Sequence, residues 1–358
     1  MTGVLRSIRA VVLTPILALV ASLIVGAIVM LVSGVDPTAA YGSLLRGVFG
    51  SPQALGRTLN NSTPLILTGI AVAFAFRGGL FNIGADGQFA AGAVTAAWLG
   101  VSLRLPGALG PAVVLLASAA AGALVGALAG YLKARFGAHE VVTTIMLNFI
   151  VLNLAMWLLL HPLSGHTQVP GSAPIYAGNA LAPLFSGLPK VHYGLVVAVL
   201  SAIAATVFLW RSPWGLELRV AGISGKAAKY SGVSPTVAAL LAMGFGGAFA
   251  GLAGAGEVLG TYGDMTVPFV ANLGFLGIGV ALLGRNHPMG CIVGGVIMGA
   301  LSAGGQQMQF DLGISAHLTE ILVGVILIFI TMQNLQVRWR KRNAPLSLEN
   351  VIEAPHAL

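Results

Sequence analysis

The sequence predicts an all-α polytopic membrane protein with about ten transmembrane helices, and composition and the length of the apolar runs both favour this class. The chain of 358 residues is 57% hydrophobic and 8% charged, with a mean hydropathy of +0.92. Soluble domains carry roughly 25% charged residues, so a soluble fold of this length could not hide so much apolar surface. The apolar residues fall into runs of roughly 20, the length that a bilayer-spanning helix needs.

Ten apolar segments are predicted to span the membrane. They are 10–33, 64–77, 85–103, 108–132, 142–160, 193–210, 236–259, 270–284, 289–307 and 316–334. The first could mimic a signal peptide, but it is too long for one. The second and the eighth are short, which indicates broken or tilted helices. Their glycine-interrupted surroundings, 64–88 and 270–290, are consistent with an inverted repeat.

The positive charges predict the orientation of the chain. With the N-terminus inside, 14 of the 18 Lys and Arg residues fall on the cytoplasmic side. The positive-inside rule therefore predicts that both termini are cytoplasmic. Residues 1–340 are predicted to form one transmembrane domain, and 341–358 a disordered cytoplasmic tail. The net charge of +8 does not indicate nucleic acid, because the basic residues lie between apolar spans.

Polar residues and glycines interrupt the apolar pattern at residues 78–88. Asn82, Asp86 and Gln88 lie there together with four glycines, which disfavour a regular helix. Irregular backbone at membrane depth must be buried in protein or line a cavity, and transporters bind cargo at such breaks. The alternative is a short cytoplasmic loop, and the residues alone favour the two interpretations about equally.

A second polar pattern lies in the fifth span. Glu140, Thr144 and Asn148 are spaced four residues apart and share one helical face, and Asn153 lies deeper along the same span. This stripe could line a translocation path. It could equally form interhelical hydrogen bonds, each worth about 1 kcal/mol.

Repeated small residues predict close helix packing. Glycines recur every four residues at Gly122, Gly126 and Gly130, and Gly247 and Gly251 are followed by Ala255. Such faces let helix backbones approach closely in a membrane. They are predicted to shape the bundle without touching cargo.

The sequence lacks the common catalytic and metal-binding motifs. Gly225-Lys226 is followed by Ala227, so it is not a phosphate-binding loop. The single Cys291 lies in an apolar run and is predicted to be a core residue. We therefore predict no catalytic residue, no metal site and no cofactor bound by this chain. Glu257 lies near the end of the seventh span, where solvent is expected to hydrate it.

The segment 211–235 is predicted to be a cytoplasmic loop that contains a short helix. Pro213 and Pro235 bracket it, and Ser224 is suited to cap a helix over Gly225–Tyr230. An ATPase could push on such a helix. A basic loop that lies on anionic lipid explains its lysines equally well.

Three motifs resemble the ABC-transporter permeases that import nucleosides and simple sugars. The run 79–88, Gly-Leu-Phe-Asn-Ile-Gly-Ala-Asp-Gly-Gln, is similar to a signature of that family, with Asp86 where Glu is usual. Residues 140–148 resemble its Glu-Val-x-x-Thr-Ile-Met-Leu-Asn run. Residues 215–232 resemble its ATPase-contacting loop, with Ser224-Gly225 in place of Asn-Pro. The resemblance extends over roughly 60–335.

The resemblance implies an importer subunit of the bacterial cytoplasmic membrane that translocates nucleosides. Its substrate pathway would include Asn82, Asp86, Gln88, Glu140, Thr144, Asn148 and Asn153. Its ATPase-coupling residues would be Arg219, Gly222, Gly225, Ala227, Ala228, Tyr230 and Gly232. Asp86 could accept hydrogen bonds from ribose or brace Asn82 across the break.

The resemblance also implies partners. A cytoplasmic subunit would bind ATP and Mg²⁺, a second permease chain (a paralogue or a second copy) would complete the path, and an extracytoplasmic binding protein would deliver cargo. The long segment 161–192 could meet that protein or be an uninvolved surface loop. The alternatives for function are a simple-sugar permease and a proton-coupled transporter that uses Asp86 or Glu257.

Overall fold

The computed structural model describes residues 20–328, except for 22, 167–168, 186, 189, 267–271, 316, 318–319, 322–323 and 326–327. In that part of the chain every regular element is helical, and the strand-like pairings are three isolated bridges. The all-α prediction is therefore confirmed. The tail 341–358 lies outside the described residues. The chain divides into two compact units, 1–40 with 314–358, and 41–313, and the sites described below lie in the second.

Twelve helices have bounds within the described residues. They are α1 Leu23–Val32, α2 Pro37–Phe49, α3 Pro52–Arg77, α4 Ala85–Ser102, α5 Leu109–Phe136, α6 Glu140–Leu160, α7 Gly194–Arg211, α8 Pro213–Ile223, α9 Gly225–Tyr230, α10 Pro235–Gly256, α11 Leu273–Leu283 and α12 Pro288–Leu312. A π-helical segment, Glu257–Tyr262, continues α10.

Eight of the ten predicted spans coincide with one helix each, α3 to α7 and α10 to α12. Of the other two, 10–33 is described only from residue 20 onward, where it contains α1, and 316–334 lies largely outside the described residues. Six of the described helices are long and apolar enough to cross a membrane: α3, α5, α6, α7, α10 with its π-helical segment, and α12. The count of ten therefore stays a prediction. The sequence pattern missed two helices altogether, α2 and α8.

Helix α3 is much longer than the span predicted at 64–77. It begins at Pro52, and the Ser51 hydroxyl caps it by accepting from the Ala54 N–H at 3.1 Å. The short prediction is wrong because residues 58–63 are mostly polar, and four of those six are buried. Because these residues are polar, the sequence pattern did not indicate the full length of α3. This helix packs against α10, α11 and α12 at the centre of this unit.

The predicted glycine faces are confirmed between α5 and α10. A Cβ added at Gly126 would overlap the backbone of Met243, and one at Gly122 would overlap that of Gly247. Two helix backbones therefore touch directly along this contact. No larger side chain fits without moving them apart.

The described residues of segment 161–193 are fixed by backbone hydrogen bonds. The Leu181 N–H donates to the Leu259 carbonyl, and the Tyr176 N–H donates to the Gly100 carbonyl, both at 2.8 Å. These bonds attach the segment to the π-helical segment and to the end of α4. The described part of the segment is thus packed on the helices of this unit.

Candidate functional site

The predicted break is present between α3 and α4. Helix α3 ends in a turn in which Gly79 has a left-handed φ of 72° and the Leu80 N–H donates to the Ala75 carbonyl at 3.0 Å. A positive φ favours glycine at this position. The chain is irregular from Leu80 to Gly84, and α4 begins at Ala85. Leu80, Asn82 and Gly84 are buried in this stretch.

Two amide side chains pair inside the break. Asn82 Nδ2 donates to Gln88 Oε1 at 3.0 Å, and Gln88 Nε2 donates to Asn82 Oδ1 at 3.2 Å. The Gly84 N–H also donates to Asn82 Oδ1, at 2.9 Å. Asn82 is fully buried and Gln88 is 1% exposed. The pair therefore satisfies its own polar groups while it fixes the irregular backbone.

Asn148 of α6 ties this backbone to a second helix. Its Oδ1 accepts from the Gly87 N–H and its Nδ2 donates to the Ile83 carbonyl, both at 2.8 Å. A Cβ added at Gly87 would lie 2.7 Å from Asn148 Oδ1. The glycine is thus required for the close approach of α4 and α6.

Asp86 contacts a third helix. Its Oδ1 accepts from the Gly274 N–H at 2.7 Å, in the first turn of α11. Helix α11 follows Asn272, which has a φ of 71° and provides no side-chain cap. Asp86 therefore supplies from α4 the acceptor that an N-cap residue would normally provide. The sequence predicted that Asp86 binds cargo or braces Asn82. It did not predict the contact between Asp86 and Gly274.

The structure brings five of the seven proposed pathway residues together. Asn82, Asp86, Gln88 and Asn148 form what we call the Asn82 cluster, and buried Thr144 packs against Gly84. Glu140 instead forms an ion pair with Lys133 at 2.8 Å.

Asn153 lies apart from the cluster. It is on the exposed face of α6, and its Nδ2 donates to the Phe149 carbonyl at 2.7 Å. Glu140, Thr144 and Asn148 therefore face other helices of this chain, whereas Asn153 faces outward from it.

The short helix predicted in segment 211–235 is confirmed as α9. The Ser224 hydroxyl oxygen accepts from the Ala227 N–H at 3.3 Å, and the helix ends at Tyr230. Tyr230 is 94% exposed and Ala228 is buried. Of the other proposed coupling residues, Arg219 lies on α8 with its Cζ 5.6 Å from the Trp210 ring centre.

Helix α8 touches the turn that leads into the Asn82 cluster. A Cβ added at Gly79 would lie 2.8 Å from both the Cα and the carbonyl oxygen of Gly222. A cavity of about 290 Å³ adjoins this contact, lined by residues 78–80, Lys133, Ala134, Ala221 and the first turn of α10. The two backbones therefore meet beside unfilled space.

A second buried polar group, which we call the Glu257 cluster, joins three elements. Asn60 belongs to α3, His192 precedes α7, and Glu257 and Thr261 belong to the π-helical segment. Asn60, His192 and Glu257 are each no more than 5% exposed. The expected hydration of Glu257 is therefore wrong: residues 161–193 and α3 shield it from solvent.

Thr261 is the centre of this cluster. Its hydroxyl lies 3.4 Å from Glu257 Oε1 and 3.3 Å from Asn60 Oδ1. His192 Nε2 lies 3.3 Å from the same hydroxyl, and His192 Nδ1 accepts from the Gly194 N–H at 3.1 Å. Burial lowers the pKa of His192 to about 4, because the charged ring would lose its hydration.

Comparison with known proteins identifies the family. Residues 54–331 match the family described as branched-chain amino acid transport system / permease component. The chain is 38% identical over 323 residues to the guanosine ABC transporter permease protein NupP of Bacillus subtilis, covering 89% of this chain and 92% of that one.

Two further relatives align over similar lengths. The glucose permease TsgB13 of Haloferax volcanii is 33% identical, over 91% of this chain and 89% of its own. The nucleoside permease NupB of Lactococcus lactis is 30% identical, over 90% of this chain and 91% of its own. No solved structure matches. The chain belongs to the branched-chain amino acid transport system permease family, and it is a multi-pass membrane permease of the ABC-transporter type.

Proposed function

We propose that this chain is the membrane-spanning subunit of an ATP-driven importer of nucleosides. The observation that carries the proposal is its similarity along nine-tenths of its length to a guanosine permease and a nucleoside permease. The Asn82 cluster lies at a break between two helices, and in transporters such breaks adjoin the cargo path.

The cargo path is proposed to run along the exposed face of α6. Phe149 and Trp157 on that face are more than half exposed, and Asn153 lies between them. A polar residue on an outward-facing span is costly in lipid, which favours a partner or an aqueous path over lipid there. Aromatic rings can stack on a nucleobase, and the Asn153 amide can pair with a hydroxyl group. A second permease chain would form the opposite wall.

In this arrangement the Asn82 cluster positions the path rather than contacting the cargo. Its amide groups and the Asp86 carboxylate are engaged with one another and with backbone groups. A cargo that entered there would have to replace these bonds, since buried polar groups must stay paired. Opening of the cluster is therefore proposed to be part of the transport cycle.

ATP hydrolysis is proposed to occur on a separate subunit that binds ATP and Mg²⁺ and docks on α9. The cytoplasmic placement of this region follows from the positive-inside rule. The Gly79–Gly222 contact supports a direct route from α8 to the Asn82 cluster, because a displacement of one backbone must move the other. The adjoining cavity leaves room for such movement.

Gly222→Ala in the assembled complex tests this route. The added methyl would overlap the Arg77 carbonyl, so transport should fall while ATP hydrolysis continues. Gly244→Ala is the matched control, because its Cβ would have 3.7 Å of clearance from Ala127 Cβ. Normal transport by Gly222→Ala would exclude the route.

A simple-sugar cargo is the second candidate, favoured by the 33% identity to the glucose permease. Competition separates the two. Vesicles with the complete importer should take up labelled guanosine, and excess adenosine or uridine should compete whereas glucose should not. Uptake of glucose without uptake of any nucleoside would overturn the assignment of cargo.

A further inference from the structure

The contacts of the Thr261 hydroxyl in the Glu257 cluster include more acceptors than this hydroxyl has protons to donate. Because His192 Nδ1 accepts from the Gly194 N–H, the neutral ring carries its proton on Nε2 and donates it to the Thr261 hydroxyl oxygen. The Thr261 hydroxyl then has one proton to donate. Two acceptors, Asn60 Oδ1 and Glu257 Oε1, lie within 3.4 Å of it.

The same cluster lacks a positive charge. Glu257 is 4% exposed, and no basic side chain pairs with it among the residues that the structure describes. Arg57 lies three residues before Asn60 on α3 but directs its guanidinium to Gln307, at 2.9 Å. The titratable neighbours are the neutral His192 and Tyr262. An ionised carboxylate buried without a cation would be strongly unfavourable.

The arrangement of the cluster is fixed from outside. A Cβ added at Gly260 would overlap the His192 ring, so the ring packs directly on the π-helical segment. π-helical turns within α-helices are frequent at functional sites. His192 is therefore held against the segment that carries Glu257 and Thr261.

We propose that Glu257, Thr261 and Asn60 form a binding site for one small monovalent cation, a proton or a sodium ion. A protonated Glu257 would donate a hydrogen bond to the Thr261 oxygen. The Thr261 hydroxyl would then donate its own proton to a hydrogen bond with Asn60 Oδ1. A sodium ion would take the three oxygens as ligands, since carboxylate, hydroxyl and amide oxygens suit hard cations. Either cation supplies the missing positive charge. It also links α3, the segment before α7 and the π-helical segment.

Infrared spectroscopy and thermal unfolding of the purified full chain in detergent distinguish the two sources. If the cation is a proton, the wild type shows the carbonyl stretch of a protonated carboxylic acid, and Glu257→Gln loses it. If the cation is sodium, replacing choline by sodium at constant ionic strength raises the unfolding midpoint to a plateau. Glu257→Gln, which is neutral and of the same size, abolishes that rise.

Glu217→Gln is the matched control, because Glu217 is an exposed carboxylate on α8 and its removal should change neither signal. If Glu257→Gln does not fold, Thr261→Val replaces it: it should shift the acid band or weaken the sodium effect, because the central hydroxyl is gone. A wild type with neither signal, or signals that persist in Glu257→Gln, would overturn the site. So would signals that Thr261→Val leaves unchanged.

Discussion

The Asn82 cluster and the Glu257 cluster are both buried polar groups where a regular α-helix ends, but they differ in how completely their hydrogen-bonding groups are satisfied. In the first, amides pair with amides and with the backbone, and the Asp86 carboxylate faces the N-terminus of α11. In the second, one carboxylate and one amide share a single hydroxyl. A cluster that satisfies itself is suited to hold a backbone, whereas one that lacks a charge is suited to bind an ion.

The largest expected effect is that of Asn148→Ala in the Asn82 cluster. The change leaves the Gly87 N–H and the Ile83 carbonyl without their partner, at about 1–3 kcal/mol for each buried group. We expect a lower unfolding midpoint and reduced uptake.

Asn153→Ala on the same helix is the matched comparison. Its side chain bonds only its own helix among the described contacts, so we expect reduced uptake with an almost unchanged midpoint. Equal loss of stability in both variants would contradict the distinction between positioning and path residues.

The next effect is a pH dependence from the Glu257 cluster. The folded-state pKa of His192 is about 4, below its unfolded value of 6.5. The unfolded chain therefore takes up a proton first as pH falls. The free energy of unfolding should decrease by about 3 kcal/mol between pH 6.5 and 4 and be flat with respect to this group above 6.5.

Unfolding in detergent at several pH values measures this slope, with His192→Gln as the comparison. The variant should have a flatter profile in that window. An identical slope would show that His192 titrates normally in the folded chain.

A smaller effect is expected at Asp86. Asp86→Ala removes the acceptor of the Gly274 N–H and should destabilise the chain by about 1–2 kcal/mol. Asp86→Asn keeps an acceptor oxygen, so most of the stability and uptake should remain. If uptake instead disappears equally in both variants while stability is kept, Asp86 contacts cargo directly.

The smallest effect is expected from Thr261→Ser measured against Thr261→Val. Serine keeps the shared hydroxyl, and its unfolding midpoint should lie close to that of the wild type. Valine should cost about 1 kcal/mol more. Similar midpoints for the two variants would indicate that the hydroxyl is not central to the cluster.

The sequence predicted the Asn82 cluster because its signal is local. Glycines and polar residues stand side by side at 78–88, and Asn148 follows at a helical repeat. The Gly274 contact could not be predicted, because it joins positions 188 residues apart. It depends on how α4 packs against α11, and the residue pattern of neither helix indicates that packing.

The Glu257 cluster was missed for the same physical reason. Glu257, His192 and Asn60 are single polar residues in three distant segments, and Glu257 alone suggested the hydrated end of a span. They are buried where α3, the residue before α7 and the π-helical segment pack together. The full length of α3 was likewise hidden, because its polar half is buried by other helices.

The energy source of transport is the most direct test of the proposed function. Vesicles should contain this permease with its ATPase, second permease and binding protein, and guanosine uptake should be measured with internal ATP and with an ionophore that collapses the proton gradient. ATP-driven import predicts uptake that needs hydrolysable ATP and persists with the ionophore. Uptake that ignores ATP and stops with the ionophore would contradict it and favour a proton-coupled transporter.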